Sequence, residues 1–576
     1  MKRRTVTALF LTTALVACNA PQEREERSGL SPDLRQKEMK VEAEPIPNQP
    51  RAQPSQPAEL AVSAAAHYAL ADATATHPLT KMRQAEGIPP RPLPVAQEES
   101  GPRFVDISES GVVQVSQHPL STFSIDVDSG SYALVRRFLS RGQLPPKAAV
   151  RVEEMINYFD YAYPEPTGDH PFAVITEMAP TPWNENSRLL HIGIQGRGGD
   201  LETRPAANLV FLIDVSGSMS AADKLPLLKS AFRLLVQQLD GEDRVSMVVY
   251  AGASGVVLEP TAGDEQATIL AALEKLQAGG STHGSAGIQL AYEMAQKGFR
   301  QGGINRVILA TDGDFNVGTV SHEQLLQLIE RKRQSGISLT TLGFGEGGRG
   351  GNYHDHLMEQ LADHGNGHYA YIDTLNEAQK VLVREVASTL EVIASDVKIQ
   401  VEWNPAWVSS YRLIGYANRR LADEAFNNDK VDAGEIGAGH TVTALYEVTL
   451  VDSAQPAIDP LRYGRSPSQE RKEDEKSHEL AFVKLRYKPE FGESSRLITH
   501  RVDIATVQSQ LETTTVPFRF SAAVAGFGEL LRGGTHLGDW GYEQLQQLAT
   551  TAYGEDRFGY RREFLRLSEL AAGLEG

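Results

Sequence analysis

Between residues 207 and 391 short apolar runs alternate with stretches of helical spacing. The runs at 209–213 (Leu-Val-Phe-Leu-Ile) and 306–310 (Arg-Val-Ile-Leu-Ala) have the near-continuous apolar character of strands buried on both faces. Further strands are predicted at 244–250, 256–258, 337–344 and 369–372. Helices are predicted at 223–239, 265–276, 285–299, 323–334, 355–363 and 375–391. Strand and helix in regular alternation predict a mainly parallel sheet covered on both faces, a Rossmann-like doubly wound α/β domain.

The periodicity differs on either side of this block. Residues 101–206 read as an α+β segment. They hold a strand-like run at 121–128, helical patterns at 131–141 and 149–158, and two strands at 172–178 and 189–194 around the turn signal Trp183-Asn-Glu-Asn186. After residue 391 the period becomes two, with strands at 398–403, 441–450, 479–487 and 496–502 and a charged loop at 464–477. Three helices follow at 520–531, 541–553 and 561–572, so 392–576 is expected to be β-rich and to end in helices.

Composition changes the picture mainly at the amino end. Residues 19–100 hold twelve of the chain's 30 prolines and one aromatic residue, Tyr68. A segment so poor in apolar residues cannot offset its ordering entropy, so 18–100 reads as a disordered tether with an r.m.s. span of roughly 50 Å. Ahead of it, Lys2, Arg3 and Arg4 precede a mostly apolar stretch at 5–17. That stretch is too short to span a bilayer as a helix and suits the core of a signal peptide, residues 1–17. The chain's single cysteine, Cys18, follows at once. One cysteine excludes an internal disulfide framework and a multi-thiolate zinc site. The formal charge of −18 argues against non-specific nucleic-acid binding.

The candidate chemistry lies where the two most apolar strands end. The first ends in Asp214-Val-Ser216-Gly-Ser218, which sets one carboxylate and two hydroxyls on alternate positions of a tight loop. The second ends in Thr311-Asp312-Gly313. Between them Gly279-Gly-Ser-Thr282-His-Gly284 offers a third hydroxyl from Thr282, with Ser281 as runner-up. These are hard oxygen donors suited to Mg²⁺, Mn²⁺ or Ca²⁺. Open α/β sheets bind ligands at the carboxyl ends of their strands, where both aspartates are predicted to lie.

Three motif pieces in this order resemble the metal-ion-dependent adhesion site of von Willebrand factor A domains. The resemblance implies that Ser216, Ser218 and Thr282 contact a metal, Mg²⁺ in the first instance. Asp214 and Asp312 would contact it directly or through water. It further implies that an Asp or Glu carboxylate of a protein partner completes the shell. Leu15-Val-Ala-Cys18 resembles the bacterial lipobox, which implies cleavage before Cys18, lipidation of its thiol and attachment to a membrane. With Asn19 next, the resemblance leans to the outer membrane of a bacterial cell envelope. The segments 120–128, 153–160, 411–420 and 426–440 resemble one bacterial subgroup of lipoproteins with a central von Willebrand factor A domain. The family brings no settled activity for the flanking domains.

Other features read more plainly. Asp126-Val-Asp128-Ser-Gly-Ser131 fails the metal motif's spacing and reads as a turn and helix cap. His354, His356, His364 and His368 read as surface histidines. The glycine-rich stretch 343–351 lacks the Lys-Ser/Thr of a phosphate-binding loop. Asp314, beside Asp312, reads as a solvated residue, with lining of the site as the alternative. No H-E-x-x-H, no G-x-S-x-G and no cysteine nucleophile follows Cys18, so a binding protein rather than an enzyme is expected. An assembly or regulatory factor with one fixed envelope partner is the first alternative, and a metal-dependent hydrolase ranks behind it.

Overall fold

Strands from both flanks interleave, while the central block builds a sheet of its own. The computed structural model describes residues 104–105, 108–199, 204–280, 284–313, 322–345, 353–453, 455, 457–458, 478–489 and 493–575. The signal segment, the tether with Cys18, the loop 464–477, Ser281, Thr282 and Asp314 lie outside the described residues.

The N-terminal flank supplies β1 (Val113–Gln114), β2 (Leu120–Ser124), α1 (Gly130–Ser140), α2 (Val152–Asn157), β3 (Phe172–Thr181) and β4 (Asn184–Gly196). The central block runs β5 (Ala207–Asp214), α3 (Leu225–Val236), β6 (Arg244–Tyr250), β7 (Ser254–Ala262), α4 (Gln266–Glu274), α5 (Gly284–Lys297) and β8 (Ile304–Thr311). It continues with α6 (His322–Arg333), β9 (Ser338–Phe344), α7 (Asp355–His364), β10 (Tyr369–Ile372), α8 (Leu375–Gln379) and α9 (Val386–Leu390). The C-terminal flank adds β11 (Val392–Trp403), β12 (Val408–Ile414), β13 (Gly434–Gly437), β14 (Thr441–Leu450), β15 (Glu479–Lys488) and β16 (Arg496–Asp503), then α10 (Val516–Arg532), α11 (Tyr542–Thr551) and α12 (Tyr560–Glu575).

The central sheet has the order β10-β9-β8-β5-β6-β7. Its pairs are parallel except for the antiparallel edge strand β7. Alternate residues of β5 serve two cores. Leu209, Phe211 and Ile213 pack with Leu228 and Phe232 of α3, whereas Val210 and Leu212 pack with Ile288 and Tyr292 of α5. That two-sided burial is why the run is apolar throughout. The fold class is the doubly wound α/β domain expected from the sequence, with a β-rich region after it that ends in helices.

The flanks share two further sheets. One has the order β1-β12-β14-β4-β3, and in the other β11 pairs with β2, β13 and β15, which carries β16. Each sheet therefore joins strands from both ends of the chain. Ile192, Val442 and Tyr446 of the first face Ile399, Val401 and Leu485 of the second in one apolar core, a sandwich. Helices α1, α2 and α10–α12 cover the outer face of the first sheet through Tyr132, Phe159, Phe520 and Phe564. Helix α10 is set locally: the Thr515 hydroxyl accepts from the Phe518 N–H, and Gly533 ends the helix at φ +108°.

Two local departures have physical causes. Strand β12 carries no apolar signature because it contains Arg412, which is buried against Glu529 at 2.8 Å and Glu447 at 3.1 Å. The helix expected at 375–391 is broken into α8 and α9 by a wide turn, Lys380–Arg384. There Glu385 N–H donates to the carbonyl of Lys380, five residues back.

Buried arginines fasten the flanks to the centre. Arg136 of α1 holds Asp373 at 2.5 Å, Glu377 at 2.7 Å and Glu563 of α12 at 2.9 Å. Arg151 pairs with Glu154 and with Asp355 of α7. Arg419 reaches Asp126 and Asp128, each at 3.1 Å, and Asp363 of α7 at 2.6 Å. Asp126 and Asp128 are thus anchors of this seam. The turn expected here is present, with the Asp128 N–H donating to Asp126 Oδ1 at 2.9 Å, but Ser129 makes no side-chain cap on α1 and Asp128 accepts from the Tyr369 N–H at 2.8 Å, so the helix-cap half of that reading is corrected.

Candidate metal-binding site

The site is built where β5 and β8 lie side by side. Ile213 pairs with Ala310, so the next residues bring Asp214 beside Thr311. The Thr311 hydroxyl donates to Asp214 Oδ2 at 2.9 Å, and the Ser216 N–H donates to Oδ1 at 2.8 Å. The second bond folds the loop back over its own aspartate, an Asx-type turn. The Ser216 and Ser218 hydroxyls then lie 2.9 Å apart. Asp214 and Asp312 are both fully buried.

Backbone bonds dock the neighbouring loop against the motif. Gly279 N–H donates to the Val215 carbonyl at 2.7 Å, and Gly217 N–H to the Gly280 carbonyl at 3.1 Å. Gly280 takes φ +87°, a conformation that favours glycine. The sequence-predicted Thr282 and its runner-up Ser281 lie two residues or fewer beyond this docked pair, outside the described residues. On the other side, Gly313 at φ +79° lies under the Tyr353 ring, where a β-carbon would fall 2.3 Å from a ring atom.

Electrostatics explain what such a corner needs. Burial pushes the Asp214 carboxyl up to about 6, with the Asp312 charge acting the same way and the bonds from Ser216 and Thr311 acting against it. Among the described residues a cation is at hand. The Lys224 ammonium donates to Asp312 Oδ2 at 2.8 Å and to the Ser218 carbonyl at 3.1 Å. Among the described residues, two buried carboxylates against one ammonium leave negative charge over. A hard divalent cation neutralises such a surplus, and the carboxylate and hydroxyl oxygens assembled here suit one. By this test the residues fit a divalent ion.

The structure thus brings Asp214, Ser216, Ser218 and Asp312 to one corner of the sheet, at the carboxyl ends of its strands. Sequence reasoning missed Lys224, Tyr353 and Gly345, over which the lysine stem packs. Lys224 stands ten positions after Asp214 at the start of α3, where no motif marks it. The histidine group also divides. His356 and His364 are partly exposed, but His368 is buried against His440, with ring centroids 5.5 Å apart. The surface reading is corrected for His368.

A doubly wound sheet with this motif at its carboxyl edge defines a von Willebrand factor A domain. The von Willebrand factor type A domain family matches residues 208–384, and a family described as von Willebrand factor matches 98–191. The family "Uncharacterized protein YfbK, C-terminal" matches 388–574. The chain is 47% identical over 479 residues to the uncharacterized protein YfbK of Escherichia coli (strain K12), covering 82% of this chain and 81% of that one. It belongs to the YfbK family of von Willebrand factor A proteins. It is also 26% identical over 265 residues to the human inter-alpha-trypsin inhibitor heavy chain H3, covering 42% of this chain and 28% of that one. Among solved structures, a von Willebrand factor type A protein from Catenulispora acidiphila aligns with a TM-score of 0.39 at 15% identity, over 70% of this chain and 91% of that one.

Proposed function

We propose that this chain is a lipid-anchored, protein-binding component of a bacterial cell envelope. Its central domain grips a partner's Asp or Glu carboxylate through a bound Mg²⁺, with Mn²⁺ or Ca²⁺ as substitutes. Asp214, Ser216, Ser218, Thr282 and Asp312 would hold the ion, and Cys18 would carry the lipid. The observation that supports this most is the pairing of two buried carboxylates beside two hydroxyls at the edge where such sheets bind ligands. Two carboxylates and neutral hydroxyls leave a divalent ion short of donors, so it can accept one more oxygen from outside.

When bound, the ion supplies a positive centre that attracts an external carboxylate. The chain's own residues do the rest. Thr311 and the Ser216 N–H fix the rotamer of Asp214, the bonds from Gly279 and Gly217 hold the neighbouring loop, and Tyr353 closes one wall. This reading is one of binding and not of catalysis. The test is a crosslinking pull-down from membranes with and without EDTA, comparing wild type with Asp214→Ala. The expected result is a specific envelope protein lost on EDTA treatment and with Asp214→Ala. A partner retained equally in all three samples would overturn the reading.

A further inference from the structure

The candidate site carries a cation of its own, in a socket built for it. The Lys224 side chain is only 8% exposed. Its ammonium bonds one oxygen on the end of β8 (Asp312) and one on the motif loop (Ser218), the same two segments whose side-chain oxygens converge. The stem reaches this position because residue 345 is glycine at φ +67°. A β-carbon there would lie 2.4–2.9 Å from three carbons of the lysine stem. The root of the side chain is fixed as well. Asp223 is held by Arg137 of α1 at 2.7 Å. Arg137 donates to the Tyr371 hydroxyl, which donates to the Gly345 carbonyl, each at 2.5 Å.

We infer that Lys224 is the resident counter-cation of this site: it holds Asp312 in the metal-free protein and must release that oxygen when a divalent ion binds. The inference rests on the metal reading of Asp214, Ser216, Ser218 and Asp312 given above. A divalent ion bonded to Asp312 would place two positive centres on one carboxylate in a poorly solvated corner, where like charges repel strongly. Lysine suits a replaceable role, being a point charge on a flexible stem; a guanidinium would hold the carboxylate through two bonds and resist displacement. Metal affinity is therefore set by competition. The ammonium offsets part of the negative charge of the metal-free corner and weakens the ion's hold. Because the socket includes Gly345, Tyr371 and Arg137, the N-terminal flank has a direct mechanical link to the competitor.

The experiment is isothermal titration of Mg²⁺ into the full chain in detergent, for wild type, Lys224→Met, Lys224→Gln and Asp214→Ala, with no protein partner present. Both lysine variants remove the charge, methionine at nearly the full length of the stem and glutamine with a shorter, polar end. They are expected to bind Mg²⁺ about tenfold or more tightly than wild type. A second measurement needs no variant: acetylation of the Lys224 amine in wild type, read by mass spectrometry, is expected to speed up several-fold when Mg²⁺ is added. Wild type that binds Mg²⁺, with lysine variants no tighter and labelling unchanged, overturns this inference and leaves the metal reading standing. If wild type and both lysine variants bind no Mg²⁺ at about 10 mM, the metal reading falls and the inference with it.

Discussion

Two regions of this protein bury several carboxylates, and they neutralise them differently. In the seam between flanks and centre, Asp126, Asp128 and Asp363 converge on Arg419, and Glu154 and Asp355 on Arg151. At the edge of the central sheet, Asp312 holds Lys224, while Asp214 accepts from the Thr311 hydroxyl and the Ser216 N–H. A guanidinium offers five donors in a rigid fork and can bond several carboxylates at once. An ammonium on a flexible stem has no such fork. The seam therefore fixes three parts of the chain together through rigid forks, while the sheet edge is held by one flexible, replaceable cation. Counting buried acids would not separate the two; the identity of the counter-ion does.

The largest expected effect breaks the seam. Arg419→Met removes the shared cation and leaves Asp126 and Asp128 buried, and Asp363 half-buried, without it, at a cost of about 3–5 kcal/mol. Urea unfolding of the two proteins measures it. A loss below about 1 kcal/mol would mean that the seam is no more closed than the sheet edge.

The seam's excess of acid also sets a pH dependence. Burial, aided by the Asp126 charge, pushes the Glu153 carboxyl up from 4.5 to about 7. The folded state holds this proton more tightly than the unfolded chain. The associated stability is full below about pH 4.5 and is lost as pH rises towards about 7, by about 2–3 kcal/mol. Glu153→Gln should flatten that slope and stabilise the protein at neutral pH. Melting temperatures of both proteins from about pH 5 to pH 8 check it, and parallel curves would sink the idea. His191 acts in the opposite sense. Burial lowers it to about 3, so its contribution is lost as pH falls below its ordinary 6.5.

The third effect belongs to the sheet edge. On the proposed reading, Mg²⁺ at about ten times its dissociation constant stabilises wild type by about 1.4 kcal/mol. Asp214→Asn should abolish that shift while leaving the metal-free melting temperature within a few degrees. An equal Mg²⁺ shift in both proteins would assign the effect to another place on the surface.

The contrast between the regions follows how each could be seen in the sequence. The central sheet was legible because burial on both faces makes 209–213 and 306–310 apolar at nearly every position. The motif was legible because its oxygens are local, spaced two apart on one loop. The seam was not, because its partners stand far apart in the chain: Arg419 and Asp126 meet only after β2 has paired with β11. Asp126-Val-Asp128 therefore read as a turn and helix cap, of which only the turn is local enough to form as expected. Strand β12 was hidden for the same reason, since Arg412 is neutralised by Glu529 from a helix more than a hundred positions later. Lys224 escaped notice because helix starts carry lysines routinely and nothing nearby in sequence shows that Gly345 makes room for its stem.

The smallest effect sharpens the comparison most. Asp312→Asn removes the charged partner of Lys224 without changing the shape of the side chain. In the seam a matching change would strand an arginine whose head is enclosed by α7 and the flanks. At the sheet edge the lysine keeps its bond to the Ser218 carbonyl and has four rotatable bonds with which to carry its head towards water. The metal-free cost is therefore expected to be about 1 kcal/mol, the scale of one ordinary hydrogen bond. Chemical denaturation in EDTA measures it directly. A loss of about 3 kcal/mol or more would show that the Lys224–Asp312 pair is as fixed as the arginine seam. The sheet edge would then be a structural ion pair, and release of Asp312 to a metal would be too costly for the competition inferred above.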